Sequence, residues 1–325
     1  MAYIVASAIT ALFPDESVIG YPGPTPTGDE SAAIVTAPAY AYNHGPAASF
    51  PLVASPKSNS TGFEIFKYWG NLSPWYSVPS SQYGLPDASP LAPANCSVTQ
   101  VQLLYRHGAR YPTTGAPPSA FASKIHNATE KGLSTWGELE FLNKWTYKLG
   151  AELLTPFGRS QNFELGVAFR QQYGYLLNNF TESGQLPVFT TESQDRMVKT
   201  ALNFAAGFFG VPEYIDAYNL EIVIETPGLN NTGAPYETCT NSNVESRGYQ
   251  GSAAADAFSK NAFNSTLDRL NSQVQGVLFL PTDAIAMLQL CAYETDALGY
   301  SAFCELFTEE DFKNFECKFI TRDVR

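Results

Sequence analysis

Eight consecutive residues, Arg106-His107-Gly108-Ala109-Arg110-Tyr111-Pro112-Thr113, are the part of this 325-residue chain best suited to chemistry. Two arginines flank one histidine, and the planar fork of a guanidinium matches the oxygens of a phosphate. A histidine held among such cations can attack phosphorus itself and form a phosphohistidine. The same cations disfavour imidazolium, so the ring stays neutral and nucleophilic in acid. Gly108 lets the backbone approach a ligand closely. A bare Arg-His-Gly tripeptide would read as a surface turn with ion pairs. The whole octapeptide behind an apolar run reads as a site.

The elements around it must present these groups. Residues 97–105, SVTQVQLLY, begin with period-2 alternation and end nearly continuous in apolar character, which predicts a buried strand. Ligands of α/β proteins bind outside the carboxyl ends of such strands. Helical patterns follow over residues 120–128 and 137–149. Thr155-Pro156 opens a further helix with Phe157, Leu165, Val167, Ala168 and Phe169 on its buried face. Residues 186–191 and 220–225 predict strands, 196–208 a helix, and 253–315 a mostly helical region. This alternation predicts an α/β fold: a central sheet with helices on both faces, plus a helical insert.

Residues 1–60 are expected to form a leader outside the fold, and residues 61–325 the domain. Residues 1–13 are apolar, lack a basic start and are too short to cross a bilayer, so no stable membrane span is expected. The rest of the leader is rich in Pro, Gly, Ala, Ser and Thr. The aromatic-rich stretch after Phe63 suggests a segment packed across the domain surface.

The octapeptide closely matches the signature of the histidine acid phosphatases, which share the phosphoglycerate-mutase-like fold. The resemblance also runs through YWGNLSPWYSVP from Tyr68, LTPFG from Leu154, QDRMVKTALNFAAGFFG from Gln194 and CAYETDALGYSAFCELFT from Cys291. The nearest pattern is that of the fungal phytases and related acid phosphatases. The resemblance implies a phosphomonoesterase acting on a phosphate monoester, without a cofactor. His107 would be the nucleophile, and Arg106 and Arg110 would hold the phosphate. Arg196, which alone reads as a surface charge at a helix start, would complete the clamp. Thr113 would add a hydroxyl near the phosphate or simply serve the turn. Cys291 and Cys304 would pair. Cys96 and Cys239 match cysteines whose partners lie further on in the family, and are expected to be unpaired.

One family feature has no counterpart here. Members carry a later His-Asp pair whose histidine binds phosphate and whose aspartic acid protonates the leaving alcohol. This chain contains no His-Asp dipeptide. The resemblance ceases after Phe315-Glu316, so the domain is expected to be incomplete at its C-terminus, truncated before that motif, with no general acid present and with weak catalysis. The alternatives are a non-catalytic, phosphate-binding secreted glycoprotein, or a truncated gene model without a stable product. His44 and His126 read as surface residues.

Bulk properties narrow the partners. A formal charge of -12 excludes nucleic acid, whose phosphates demand a basic face. Seven Asn-x-Ser/Thr sequons, at Asn59, Asn71, Asn95, Asn127, Asn179, Asn230 and Asn264, predict a secreted or cell-surface glycoprotein. The five cysteines fit an oxidising compartment, and their spacings match no zinc pattern. With three histidines in the chain, no metal site is expected.

Overall fold

The computed structural model describes residues 63–323, apart from residues 77–79, 87, 89–91, 178–179, 181–182, 227, 230 and 237. The leader, His44 and the sequons at Asn59, Asn179 and Asn230 lie outside the described residues. The helices are α1 (Pro117–Thr129), α2 (Pro156–Tyr173), α3 (Asp195–Phe209), α4 (Gln250–Ala262), α5 (Asn264–Asn271), α6 (Pro281–Leu298) and α7 (Glu309–Asp323). The strands are β1 (Ser134–Thr135), β2 (Val188–Glu192), β3 (Asn219–Val223) and β4 (Val274–Gln275). The architecture is α/β and rich in helix. Among the described residues no helix is long and apolar enough to cross a membrane.

Helix α6 is the axis of the core. Met287, Leu288, Leu290, Cys291 and Ala292 are all fully buried, because a helix apolar on nearly every side can only sit inside. Pro281 occupies its first turn, and the Asp283 carboxylate accepts the Leu280 N–H at 2.7 Å. The same carboxylate pairs with Lys124 of α1 at 2.6 Å. Gly299, in the left-handed conformation at φ 83°, ends the helix. Phe121, Leu139, Leu142, Phe263, Phe279, Phe303 and Phe315 pack into the same core.

A disulfide joins Cys291 of α6 to Cys304 in the following turn, with the Cα atoms 4.7 Å apart. Beside it Glu294 accepts from Trp145 Nε1 at 2.8 Å and Ser301 Oγ at 2.6 Å. Burial pushes the Glu294 carboxyl up to about 7, against the pull of those two donors. Cys96 and Cys239 are exposed free thiols. Closing so short a loop stabilises by about 3 kcal/mol in the chain-entropy model. A Cys291→Ser/Cys304→Ser double variant should therefore melt several degrees lower in differential scanning calorimetry. An unchanged melting temperature would show that packing alone holds the turn.

The second layer is a β2–α3–β3 unit. Strands β2 and β3 are parallel, in register from Val188↔Asn219 to Glu192↔Val223, with α3 as the connection. Helix α3 packs on α2 through two glycines. A Cβ on Gly166 would lie 2.2 Å from the Phe204 carbonyl, and one on Gly207 would lie 2.0 Å from that of Phe163. Strands β1 and β4 form a separate antiparallel pair.

Three sequence-based expectations differ from the structure. The first is the face of α2: Ala168 is exposed and Phe157, Leu165, Val167 and Phe169 are only partly buried, because Gly158, Asn162 and Gly166 make the closest contacts. Residues 97–105 form no strand and pair with none among the described residues. Leu104 is 96% exposed, and Tyr105 rests on Phe204 with ring centroids 5.1 Å apart. Alternation specifies an extended chain with two faces; a ladder also needs a neighbour to supply its other half. Residues 137–149 are not one helix. A 3-10 stretch, Gly137–Asn143, stops where Asn143 bonds back to both backbone groups of Thr135. The chain then leaves helix, and the Trp145 indole donates to Glu294.

Candidate active site

The octapeptide forms a loop laid antiparallel against residues 152–155. The Tyr111 N–H donates to the Leu153 carbonyl at 2.9 Å, Thr155 N–H to Ala109 at 3.0 Å, and Glu152 N–H to Pro112 at 3.0 Å. Tyr111 is fully buried and anchors the loop. Thr155 caps α2, its hydroxyl accepting the Gly158 N–H at 3.0 Å. Gly108 and Gly158 then let the loop and the first turn of α2 touch backbone to backbone. A Cβ on Gly158 would sit 1.9 Å from the Ala109 carbonyl oxygen, and one on Gly108 would sit 2.2 Å from that of Gly158. Gln161 accepts the Ala109 N–H at 2.8 Å and completes the seat.

His107 is half-buried on this loop. Its Nδ1 lies 2.7 Å from the Gly108 carbonyl oxygen, so Nδ1 carries the proton and donates. The Nε2 lone pair is left for chemistry. Burial foremost, and then Arg106, Arg110 and Arg196, push the ring pKa down to about 3 against that hydrogen bond. The imidazole is therefore neutral through the whole mildly acidic range.

Each arginine is held differently. Arg106 donates through Nη1 to the Asn71 carbonyl, which ties the loop to residues 71–75. Arg110 donates through Nη1 to the Tyr111 carbonyl at 2.8 Å. Arg196 stands in the first turn of α3, just beyond the carboxyl end of β2, and pairs with Glu152 Oε2 at 3.0 Å. The Nε–H groups of Arg110 and Arg196 are buried with no acceptor among the described residues. Buried donors ordinarily find a partner, so two orphans on neighbouring cations mark a place for an anion. Burial foremost, and then repulsion from Arg110, lower the pKa of both Arg106 and Arg196 from the usual arginine value.

A cavity of about 30 Å³ opens between these groups, lined by Arg106, His107, Arg110, Gln161, Tyr293 and Asp296 and roofed by residues 71–75. It admits one small group. Arg196 does not line this cavity but lies within electrostatic reach of both Arg110 and His107. Thr113 is exposed, accepts the Ala116 N–H at 2.9 Å in a turn, and does not reach the cavity. His126 is on the surface of α1, 3.6 Å from Glu130.

Glu152 is the residue that reading the sequence missed. Its backbone is left-handed, at φ 66°. One carboxylate oxygen accepts the Thr114 N–H at 3.1 Å and the other holds Arg196. It thus links the histidine loop to the start of α3. Its position two residues before LTPFG was a possible signal, since it lies in a stretch that must pass beside the octapeptide. Tyr293 and Asp296 were also missed; in sequence they are ordinary members of a helix.

Fold and site together define an α/β protein with a neutral histidine seated among three arginines, two of which carry a buried Nε–H without an acceptor among the described residues. Residues 97–317 match the model of the histidine phosphatase superfamily, branch 2, and the chain belongs to that family. It is 32% identical to phytase A of Neurospora crassa over 82% of this chain and 56% of that one. It is 30% identical to phytase A of Aspergillus oryzae over 81% and 58% respectively. The chain thus spans a little over half the length of these relatives. A solved structure, the phytase from D. castellii, superposes with a TM-score of 0.65 at 25% identity, covering 85% of this chain and 60% of that one.

Proposed function

We propose that this chain is a phosphomonoesterase in which His107 Nε2 attacks phosphorus while Arg106, Arg110 and Arg196 hold the phosphoryl oxygens. The observation that carries this reading is the orphaned, buried Nε–H of Arg110 beside His107 on one cavity, with a second orphaned donor on Arg196 in electrostatic reach of both. A phosphoryl group supplies the missing acceptors, and its ester oxygen and alcohol remain at the cavity mouth. Water then releases phosphate from the phosphohistidine.

Simple monoesters fit better than a polyphosphorylated alcohol. Lys124, the lysine nearest the histidine loop in sequence, is spent on Asp283 and on the Leu278 carbonyl, each within 2.7 Å. The relatives are named phytases, but that cation is not offered to extra phosphates here. The sequon residues Asn71, Asn95, Asn127 and Asn264 are all exposed, as glycan attachment requires, which supports a secreted glycoprotein.

The test is to trap the intermediate. Mixing the 325-residue chain with p-nitrophenyl phosphate and quenching in alkali should leave phosphate on His107, detected by peptide mass spectrometry. The burst of p-nitrophenol should persist from pH 7 down to about pH 4. The sign follows from the depressed pKa: the ring stays unprotonated until the pH falls through about 3, so no loss appears at the ordinary histidine value near 6.5. A burst that halves near pH 6.5 would contradict the electrostatic picture. Phosphate binding without any label on His107 would make the chain a phosphate-binding protein and not an enzyme.

A further inference from the structure

Arg196 comes to the site from an element remote in sequence, and the start of that element is tied down in an unusual way. Gln194 is the N-cap residue of α3, yet its side chain makes no capping bond. Ser, Thr, Asp or Asn would cap the helix better. The Gln194 side chain turns aside instead, and its Nε2 donates to Glu225 Oε1 at 2.7 Å. Both residues are buried. Glu225 lies two residues beyond the end of β3. Its own backbone N–H donates to the hydroxyl oxygen of Ser193 at 3.0 Å. Residues 193 and 194 therefore both bond to residue 225, in opposite directions. A third tie lies within the β2–α3 turn, where the Thr191 hydroxyl donates to the Met197 carbonyl at 2.9 Å.

Stability alone does not call for the Gln194–Glu225 bond, since an apolar pair of the same shape would hold the helix start about as well. What the bond adds is direction. It fixes the backbone two residues before Arg196, the remote cation of the site. Arg196 needs such fixing because Arg110 repels it. Glu152 holds the head of the Arg196 side chain at 3.0 Å. The Gln194–Glu225 pair holds its root, and the Glu225 carboxylate also favours the charged guanidinium through space. Head and root are gripped from different parts of the chain, one beside the histidine loop and the other at the end of β3.

We propose that Gln194 and Glu225 are positioning residues, whose buried bond locks the start of α3 to the end of β3 and so aims Arg196 at the phosphoryl group. The proposal rests on the reading of Arg196 as part of the phosphate clamp. The pair acts through Arg196, and removing it leaves every phosphate-binding group in the chain.

The test is a double-mutant cycle read by phosphate affinity. Inorganic phosphate is titrated by calorimetry into the 325-residue chain as wild type, Gln194→Ala, Arg196→Ala and the double variant. Gln194→Ala should weaken binding by about tenfold, because a clamp set slightly out of line loses much of its hold. In the Arg196→Ala background the same substitution should change Kd by less than about twofold, since no guanidinium is left to aim. Glu225→Gln keeps an oxygen that accepts from Gln194, and should stay within about threefold of wild type, while Glu225→Ala should behave as Gln194→Ala does. Should the single variants fail to fold, Gln194→Met/Glu225→Met removes the bond without leaving a buried carboxylate unpaired, and should weaken phosphate binding by the same factor. An unchanged Kd in Gln194→Ala or in the paired Met variant would overturn the proposal. Equal weakening with and without Arg196 would make the pair merely structural, and Glu225→Gln as weak as Glu225→Ala would make charge, and not the bond, the cause; either result overturns it too. If the wild type binds no phosphate, or if Arg196→Ala binds it as well as the wild type, the clamp reading itself fails and the positioning role falls with it.

Discussion

Replacing His107 with alanine should lower p-nitrophenyl phosphate turnover by about 10⁴-fold or more, the scale on which a covalent nucleophile is lost. The imidazole is neutral in the free protein, so removing it takes no positive charge from the cavity. Inorganic phosphate should therefore still compete for the site with at most a modest change in Kd, measurable by isothermal titration calorimetry. Arg110→Ala is the opposite case, because it removes one of the orphaned donors and should weaken phosphate binding directly. Added imidazole can enter the space left in His107→Ala and restore part of the rate. Turnover within tenfold of wild type in His107→Ala would end the phosphohistidine reading.

Gly158→Ala is expected to be the most damaging single methyl group near the site. The new Cβ would lie 1.9 Å from the Ala109 carbonyl oxygen and 2.7 Å from its nitrogen. These are backbone atoms, which no rotamer change can move aside. Overpacking of this kind costs about 3 kcal/mol or more when the neighbour cannot yield. At roughly 2–4 °C per kcal/mol for a domain of this size, the melting temperature should fall by about 6 °C or more. Activity should fall further than stability, because the displaced backbone carries His107 and Arg110. A melting temperature within 1 °C of wild type would mean that the loop does not rest on α2 as described.

The parts of the site that follow from local covalent order were legible in the sequence. Arg106, His107 and Arg110 share one loop, so their convergence needs only a turn. Arg196 is remote, and it was named through family resemblance; its own neighbourhood reads as a helix start. Glu152 and Asp296 escaped for a different reason. A carboxyl group looks the same in sequence whether it meets water, an arginine or nothing, and burial is a property of the assembled fold. Helices α1, α2 and α3 were legible from apolar spacing and, for α2, from its Thr-Pro start, while α6 was seen only as part of a mostly helical region over 253–315. Residues 97–105 show the limit of that method. Their alternation was read as a buried strand, but pairing and burial depend on a second segment that the local pattern cannot specify. Residues 137–149 show the same limit for helices, since side chains at Asn143 and Trp145 redirect the chain through bonds to Thr135 and Glu294.

Glu152 places two opposed demands on one codon. Its left-handed backbone favours glycine or asparagine, the residues that enter that conformation most easily. Its carboxylate, shared between Thr114 and Arg196, can be supplied by neither. A mutation that relaxes the backbone discards the ion pair, and one that keeps the charge keeps the strain. Among the described residues only Asn95 shares this non-glycine geometry. At position 152 a more comfortable residue would therefore cost the link that its side chain makes between Thr114 and Arg196.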